Sequence, residues 1–132
     1  MAPTLDIAAQ IDQSPYNRGV SGADWLSNPE NIALVFENGD LALFEYFGDG
    51  SYEGHFMFVS RGKEAIKNGK EALRVMFEEH GATLLFGLTP DHLKHAKLAS
   101  RWLGFKSAGI RKTDHGDCEL FVLSDAMWKG TE

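Results

Sequence analysis

The segment Ser60-Arg61-Gly62-Lys63 places two cationic side chains and a glycine directly before a pattern typical of a long helix. The first N–H groups of a helix lack partners within it and carry partial positive charge. A glycine lets that backbone approach an anion closely, and arginine and lysine add charge at the same place. The segment predicts a pyrophosphate-binding helix start. An ordinary helix start with a turn glycine would show the same pattern.

Glu53 and His55 are the residues best suited to accept a proton. They alternate along a predicted strand, so their side chains share a face, and Glu45 on the neighbouring strand is a further candidate. Carboxylate and imidazole groups commonly serve as general bases. Polar residues on the half-exposed face of an antiparallel sheet alternate in the same way, so a purely structural role stays open.

A metal site receives little support from the sequence. Asp91, His92 and His95 lie within about one helical turn, and histidines at suitable helical spacing can share a zinc ion. No third or fourth ligand is evident nearby. A solvated helix face that also carries Lys94 and Lys97 is the preferred interpretation, and no metal is expected.

The composition is typical of a cytoplasmic globular protein. The 132 residues, 43% of them apolar, suit one domain with a single core over residues 1–132. The net charge of −6 argues against nucleic acid or an anionic membrane as the main partner. No apolar run is long enough to predict a membrane span, and residues 1–10 do not predict a secretory signal, so a cytoplasmic protein is expected. The single cysteine, Cys118, lies in an alternating apolar run and predicts a buried thiol.

Residues 32–59 predict three antiparallel strands. The runs around Asn38-Gly39 alternate in polarity, and this dipeptide favours a two-residue hairpin turn. A second turn at residues 48–51 leads into the third strand. Before them, residues 4–12 predict a short helix with Thr4 as N-cap, and residues 23–26 a helical turn. Trp25 and Trp128 are expected to cover core edges or an interface.

The period of the apolar residues then changes to that of helices alternating with strands. A helix is predicted over residues 63–80 and ends at Gly81, followed by a buried strand at 82–88. A second helix opens at Thr89-Pro90-Asp91 and stops at Gly104. Two strands at 105–112 and 118–124 complete an α/β (α+β) fold of order β-β-β-α-β-α-β-β. Its β-α-β centre should be parallel and the ends of its mixed sheet antiparallel.

This order resembles the Gcn5-related N-acetyltransferase (GNAT) superfamily over about residues 31–124. The resemblance rests on HFMFVSRGKEAIKNGKEAL (55–73) and TPDHLKHAKLASRWLGF (89–105). In particular, the sequence is similar to small GNAT-like proteins of tailed phages. The resemblance implies acetyl-CoA as co-substrate and a second helix beside the pantetheine arm. It also implies Glu53 or His55 as the base that deprotonates the acceptor amine. The implied cofactor-binding residues are Phe58, Val59, Ser60, Arg61, Gly62, Lys63, Glu64 and Ala96.

The sequence departs from the family pattern at four positions. Glu64 and Ile66 occupy later glycine positions of the helix-start motif, and a carboxylate at Glu64 would repel phosphates. Leu93 falls on a frequent asparagine. Ser100 falls on a frequent tyrosine that can protonate the departing thiolate. Water or a neighbouring group can serve instead, and the loss of the tyrosine lowers the expected rate by roughly ten- to a thousand-fold if chemistry limits turnover.

Two functions are therefore predicted. The first is an acetyl-CoA-dependent N-acetyltransferase that acts directly on a primary amine of a small molecule or protein. The second is a catalytically inactive GNAT-fold phage protein that serves as a virion component or binds a host protein. The Arg61-Gly62-Lys63 helix start favours the enzyme, and the four departures favour the alternative. A homodimer is a further expectation, because several aromatic residues lie outside the core pattern.

Overall fold

The computed structural model describes residues 7–13, 20–114 and 116–130, and its centre is a six-stranded mixed sheet. The strands lie in the order β1-β2-β3-β4-β6-β5. Only β3 and β4 pair in parallel, and the other neighbouring strands are antiparallel. This confirms the predicted fold class. The strands are β1 Ile32–Val35, β2 Leu41–Tyr46, β3 Ser51–Met57, β4 Leu84–Pro90, β5 Lys106–Thr113 and β6 Gly116–Ser124.

Five α-helices surround this sheet in the described part of the chain, and a π-helical segment at Val75–Glu79 extends the third. Gly81 (φ 65°) and Gly104 (φ 100°) follow the two long helical segments, as the sequence predicts. No helix in the described ranges is long and apolar enough to cross a membrane. The α-helices are α1 Ile7–Gln13, α2 Gly22–Ser27, α3 Gly62–Arg74, α4 Lys94–Trp102 and α5 Asp125–Gly130.

Several predicted boundaries need correction. The Asn38-Gly39 hairpin does not have a two-residue loop, because Gly39 donates its N–H to the Phe36 carbonyl and only the glycine has positive φ. Residues 89–90 end β4 instead of opening a helix, since Pro90 pairs with Cys118 across the sheet. The α5 helix was not predicted, and the expected N-cap at Thr4 lies outside the described residues.

The two faces of the sheet pack against different helices. On the α3 face, Phe44 and Leu85 are fully buried in the larger core with α3 residues such as Leu73. On the α2 face, Leu41 and Leu43 pack with Ile11 and Trp25 in a smaller core. Trp128 stacks on Phe77 at 5.0 Å between ring centroids. Both tryptophans cover the core, as expected.

We expect Gly22→Ala to lower the free energy of unfolding by about 1–3 kcal/mol. A Cβ at Gly22 would lie 2.0 Å from the Ala8 carbonyl oxygen and 2.5 Å from its Cα, so α1 would have to move away from α2. Urea denaturation measures the effect. Gly130→Ala is the control, because a Cβ there meets nothing within 4 Å. Equal stability of the two variants would contradict the close packing of α1 on α2.

Candidate active site

The two parallel strands at the centre of the sheet separate along their length. Pairing joins only residues 51–53 of β3 to residues 84–86 of β4, although the strands continue to Met57 and Pro90. Gly54 and Gly87 lie at the point of separation, where a Cβ on Gly87 would come within 3.1 Å of the Gly54 carbonyl oxygen. The carboxyl-terminal halves of β3 and β4 therefore bound an opening in the sheet, here called the β3–β4 cleft.

The helices that follow these strands, α3 and α4, pack against each other. A Cβ on Gly69 of α3 would lie 2.9 Å from the Leu103 methyl groups, so the helices touch near the end of α4. Ala96 is two turns earlier on the same face of α4 as Leu103. Leu103 is 7% exposed, whereas Ala96 is exposed to solvent. The two helices therefore touch at Gly69 and Leu103, while the start of α4 at Ala96 is open to solvent.

Apolar side chains are exposed around this opening. Val59 is 68% exposed, Leu93 44% and Phe56 37%, although water does not favour such surfaces. Phe56 projects from the α3 face, because its ring packs edge-on against Phe44 with centroids 5.9 Å apart. An elongated ligand with apolar parts would cover this surface.

Hydrogen bonds to the Asp40 carboxylate hold the loop between β3 and α3. The carboxylate of this fully buried residue accepts hydrogen bonds from the N–H groups of Val59 (2.8 Å) and Ser60 (2.9 Å). The Ser60 hydroxyl and the Asn68 amide also donate to it. The sequence analysis did not predict Asp40 as a site residue. A turn aspartate carries no local signal for partners about twenty residues away.

Four consecutive residues form the exposed start of α3. Arg61 donates from Nη1 to the carbonyl oxygens of Phe58 (3.1 Å) and Ser60 (2.9 Å). Gly62 begins the helix with φ 65°, which favours glycine. Glu64 accepts a hydrogen bond from the Asn38 side chain at 3.0 Å, which holds its carboxylate at the β1–β2 turn. The exposed residues are Arg61, Gly62, Lys63 and Glu64.

Glu53 and His55 lie together on the α2 face, beside the point where β3 leaves β4. The His55 Nε2 atom and the Glu53 Oε1 atom are 3.1 Å apart. The Glu53 side chain is 3% exposed and the His55 side chain 27%, so the imidazole is the more accessible group. Glu45 is the cross-strand partner of Glu53 and accepts a hydrogen bond from the Trp25 indole at 3.2 Å. The predicted sharing of one face is confirmed.

A second polar cluster lies between α4 and β6. The Lys97 ammonium contacts Asp91 at 2.7 Å and Glu119 at 2.9 Å, and Arg101 also pairs with Glu119. Hydrogen bonds to Asp91 and Glu119 raise the pKa of Lys97. Lys97 is only 8% exposed, so the prediction that it belongs to a solvated face was wrong. Its ammonium can be buried because both carboxylates compensate its charge.

The remaining candidates occupy separate positions. Ser100 donates to the Ala96 carbonyl of its own helix at 3.1 Å. The Cys118 thiol is free and fully buried, as predicted. Among the described residues, no group of three or more potential His, Cys, Asp or Glu ligands is arranged around a metal position.

Solved structures of other proteins align with this chain, whereas comparisons of its sequence give no match. No family model matches the sequence, and no curated protein matches it significantly. A spermidine N-acetyltransferase chimera from Vibrio cholerae and hSSAT aligns with TM-score 0.71 at 10% identity, over 82% of this chain and 73% of its own. An aminoglycoside acetyltransferase in complex with coenzyme A and kanamycin aligns with TM-score 0.65 at 17% identity, over 80% of this chain and 73% of its own.

A third solved structure agrees with these two. A GNAT-family acetyltransferase from Bacillus anthracis aligns with TM-score 0.62 at 18% identity, over 74% of this chain and 67% of its own. The comparisons show no link to phages, so that expectation stays a prediction. The chain therefore has the fold of the GNAT acetyltransferases, at low sequence identity to them.

Proposed function

We propose that this protein is an acetyl-CoA-dependent N-acetyltransferase that transfers the acetyl group directly to a primary amine. The observation that carries the proposal is the β3–β4 cleft, because the exposed α3 helix start lies at its edge. A long thioester substrate needs an anion site and an apolar channel that leads to a reactive group. The cleft and its surroundings supply candidates for all three.

The α3 helix start is the proposed pyrophosphate site. Its first-turn N–H groups have no carbonyl partner four residues earlier within the helix, and Arg61 and Lys63 bring positive charge. The N–H groups of Val59 and Ser60 are already directed at Asp40. The proposed contacts of residues 58–60 with the co-substrate therefore use other groups of the loop. Glu64 opposes an anion here, although Asn38 holds its carboxylate at the β1–β2 turn, so Arg61 and Lys63 must outweigh it.

The exposed apolar residues form the proposed path of the pantetheine arm. Phe56 lies at the β3 end of the cleft, and Leu93 and Ala96 lie at the start of α4. The exposed Val59 side chain lies beside the β1–β2 turn, with its Cγ2 3.6 Å from a Cβ placed on Gly39. Covering these side chains removes apolar surface from water, which contributes roughly 25 cal/mol per Å². The thioester carbonyl would then lie near the separation of β3 and β4, beside His55.

His55 is the proposed general base, and Glu53 is the proposed positioning residue. Only a neutral amine has the lone pair that attacks the thioester carbonyl, so the acceptor ammonium must first lose a proton. The accessible imidazole can take that proton, and the buried Glu53 carboxylate orients the ring through the 3.1 Å contact. A new C–N bond forms as the C–S bond breaks, and the nitrogen then loses its surplus proton to water. The departing thiolate takes a proton from water, so the products are the amide and the free thiol.

The acceptor side is proposed to be the α2 face. Glu45 and Glu53 place carboxylates there on neighbouring strands, which favours an acceptor that arrives as an ammonium. Spermidine and kanamycin, which the compared structures name, both carry several amines. We propose a small molecule with a primary amine as the acceptor class, with a protein amine as the alternative.

Ser100→Tyr is expected to raise turnover at least about tenfold if proton delivery to the leaving thiolate limits the reaction. The native hydroxyl is bonded to its own helix at the Ala96 carbonyl, whereas a phenol reaches further from α4. Steady-state kinetics with acetyl-CoA measure the change, and Ser100→Phe controls for the added ring. If both variants change turnover equally, the phenol does not act as an acid.

A catalytically inactive GNAT-fold protein that binds another protein is the second candidate. Glu64 supports it, because a carboxylate stands among the first residues of the α3 helix start. Calorimetric titration with acetyl-CoA, and with CoA for comparison, separates the two functions. Micromolar binding of acetyl-CoA supports the enzyme. No binding at millimolar ligand overturns the enzyme proposal and favours the second candidate.

A further inference from the structure

We propose that Asp40 is a positioning residue that fixes the β3–α3 loop in the conformation needed to bind the pyrophosphate of the co-substrate. This inference rests on the proposed function, and it adds a residue that lies outside the helix start itself. Asp40 follows the β1–β2 turn and is fully buried. It is linked to the loop and to α3 through hydrogen bonds.

The two carboxylate oxygens of Asp40 divide these contacts. Oδ1 accepts from the N–H groups of Val59 at 2.8 Å and Ser60 at 2.9 Å. Oδ2 accepts from the Ser60 hydroxyl, from Asn68 at 2.8 Å and from Asn38 at 3.0 Å. One side chain therefore joins the β1–β2 turn, the loop and the second turn of α3.

A buried carboxylate is retained only when such donors compensate the loss of water. Burial raises the pKa of Asp40, but hydrogen bonds from Ser60, Asn38 and Asn68 outweigh it and hold the pKa well below the ordinary range. Asp40 is therefore ionised at neutral pH. An ionised carboxylate accepts shorter and stronger hydrogen bonds than a neutral acceptor does, so Asp40 holds its donors firmly.

Phe58 anchors the start of the loop, because its ring packs against the larger core and contacts Phe36 and Phe56, whereas Asp40 holds the residues that follow. Residues 58–61 lie beyond the last residue of β3, and Val59 and Arg61 are exposed. Arg61 folds onto the Phe58 and Ser60 carbonyls, and its own backbone immediately precedes the first N–H groups of α3. Without Asp40, those N–H groups and the Arg61 side chain would have to be ordered by the ligand, and ordering on binding lowers affinity.

Removing the charge of Asp40 tests the positioning role, because positioning and electrostatic repulsion predict opposite changes in ligand affinity. A negative charge beneath a phosphate site repels the ligand, so removal of the charge alone would strengthen binding. In Asp40→Asn, the carbonyl oxygen can keep two donors, but the NH₂ group would face the NH₂ groups of Asn38 and Asn68. A positioning role therefore predicts weaker binding, which is opposite to the electrostatic expectation.

The experiment compares two probes by NMR titration, which detects weak as well as tight binding. Asp40→Asn is expected to weaken acetyl-CoA at least tenfold. It should change S-acetyl-pantetheine, which lacks the phosphates, less than twofold. General damage to the fold would weaken both probes. Asp49→Asn is the matched control, because it removes the same charge at the exposed β2–β3 turn, at the opposite end of β3 from the loop.

Ser60→Ala is the second variant and serves alone if Asp40→Asn does not fold. It removes one donor to Asp40 and should weaken acetyl-CoA about threefold without affecting S-acetyl-pantetheine. Unchanged or tighter binding of acetyl-CoA by the folded variants, or equal weakening of both probes, overturns the positioning role alone. Failure of the wild-type protein to bind acetyl-CoA overturns the proposed function, and the role of Asp40 with it.

Discussion

His55→Ala is expected to lower kcat/KM for amine acetylation by at least about a hundredfold. The imidazole is the accessible member of the Glu53–His55 pair, and its Nε2 atom lies 3.1 Å from the Glu53 carboxylate. Loss of the ring removes the proposed proton acceptor and leaves Glu53 buried among its remaining partners. Glu53→Gln should cause a smaller loss, since the ring stays but is held less firmly. Steady-state kinetics at neutral pH give both values.

The chemical nature of the acceptor makes this prediction specific. A hydroxylamine or aryl hydrazine is already neutral at neutral pH, so its acetylation does not require a base to remove a proton beforehand. The loss caused by His55→Ala should therefore shrink to less than about tenfold with such acceptors. His80→Ala, which replaces an exposed histidine after the π-helical segment, should leave the rates unchanged. An equal loss with both acceptor types would show that His55 does not act as the base.

The element order could be predicted because the sheet and its helices follow simple periods. The change from alternating to helical spacing after residue 60 defines the β-α-β centre, and glycines mark both helix ends. The α5 helix has only six residues and shows too little of a period to be detected. The start of α4 was predicted too early, at Pro90, because a proline is tolerated both at a strand end and at a helix start.

The candidate site was predictable only where its residues are close in sequence. Glu53 and His55 share a face because strand residues two apart must do so, and the Arg61-Gly62-Lys63 motif is local. Asp40 and Lys97 could not be assigned in this way. Each is an ionised side chain whose burial depends on partners from distant segments, such as Ser60 for Asp40 and Glu119 for Lys97. Hydrophobic patterns place charged residues on the surface unless those partners are known.

Arg61→Glu is expected to weaken acetyl-CoA binding at least tenfold, because a favourable charge at the pyrophosphate becomes a repulsive one. Arg61 is exposed at the N-cap position of α3, and Gly62 directly after it allows close approach of the backbone. The added carboxylate would also lie near Glu64 and increase the repulsion. Calorimetric titration measures the affinity. Higher ionic strength should reduce the difference between the variant and the wild type, since salt screens exposed charges.

The position of the charge, and not the total charge, must decide this result. Lys70→Glu makes the same change of charge on an exposed residue of α3, about two turns from the helix start, and should alter affinity less than about twofold. Arg61→Gln separates charge from loop structure, because glutamine can still donate to the Phe58 and Ser60 carbonyls. It should fall between the wild type and Arg61→Glu. If Arg61→Glu and Lys70→Glu weaken binding equally, the pyrophosphate does not lie at the α3 helix start.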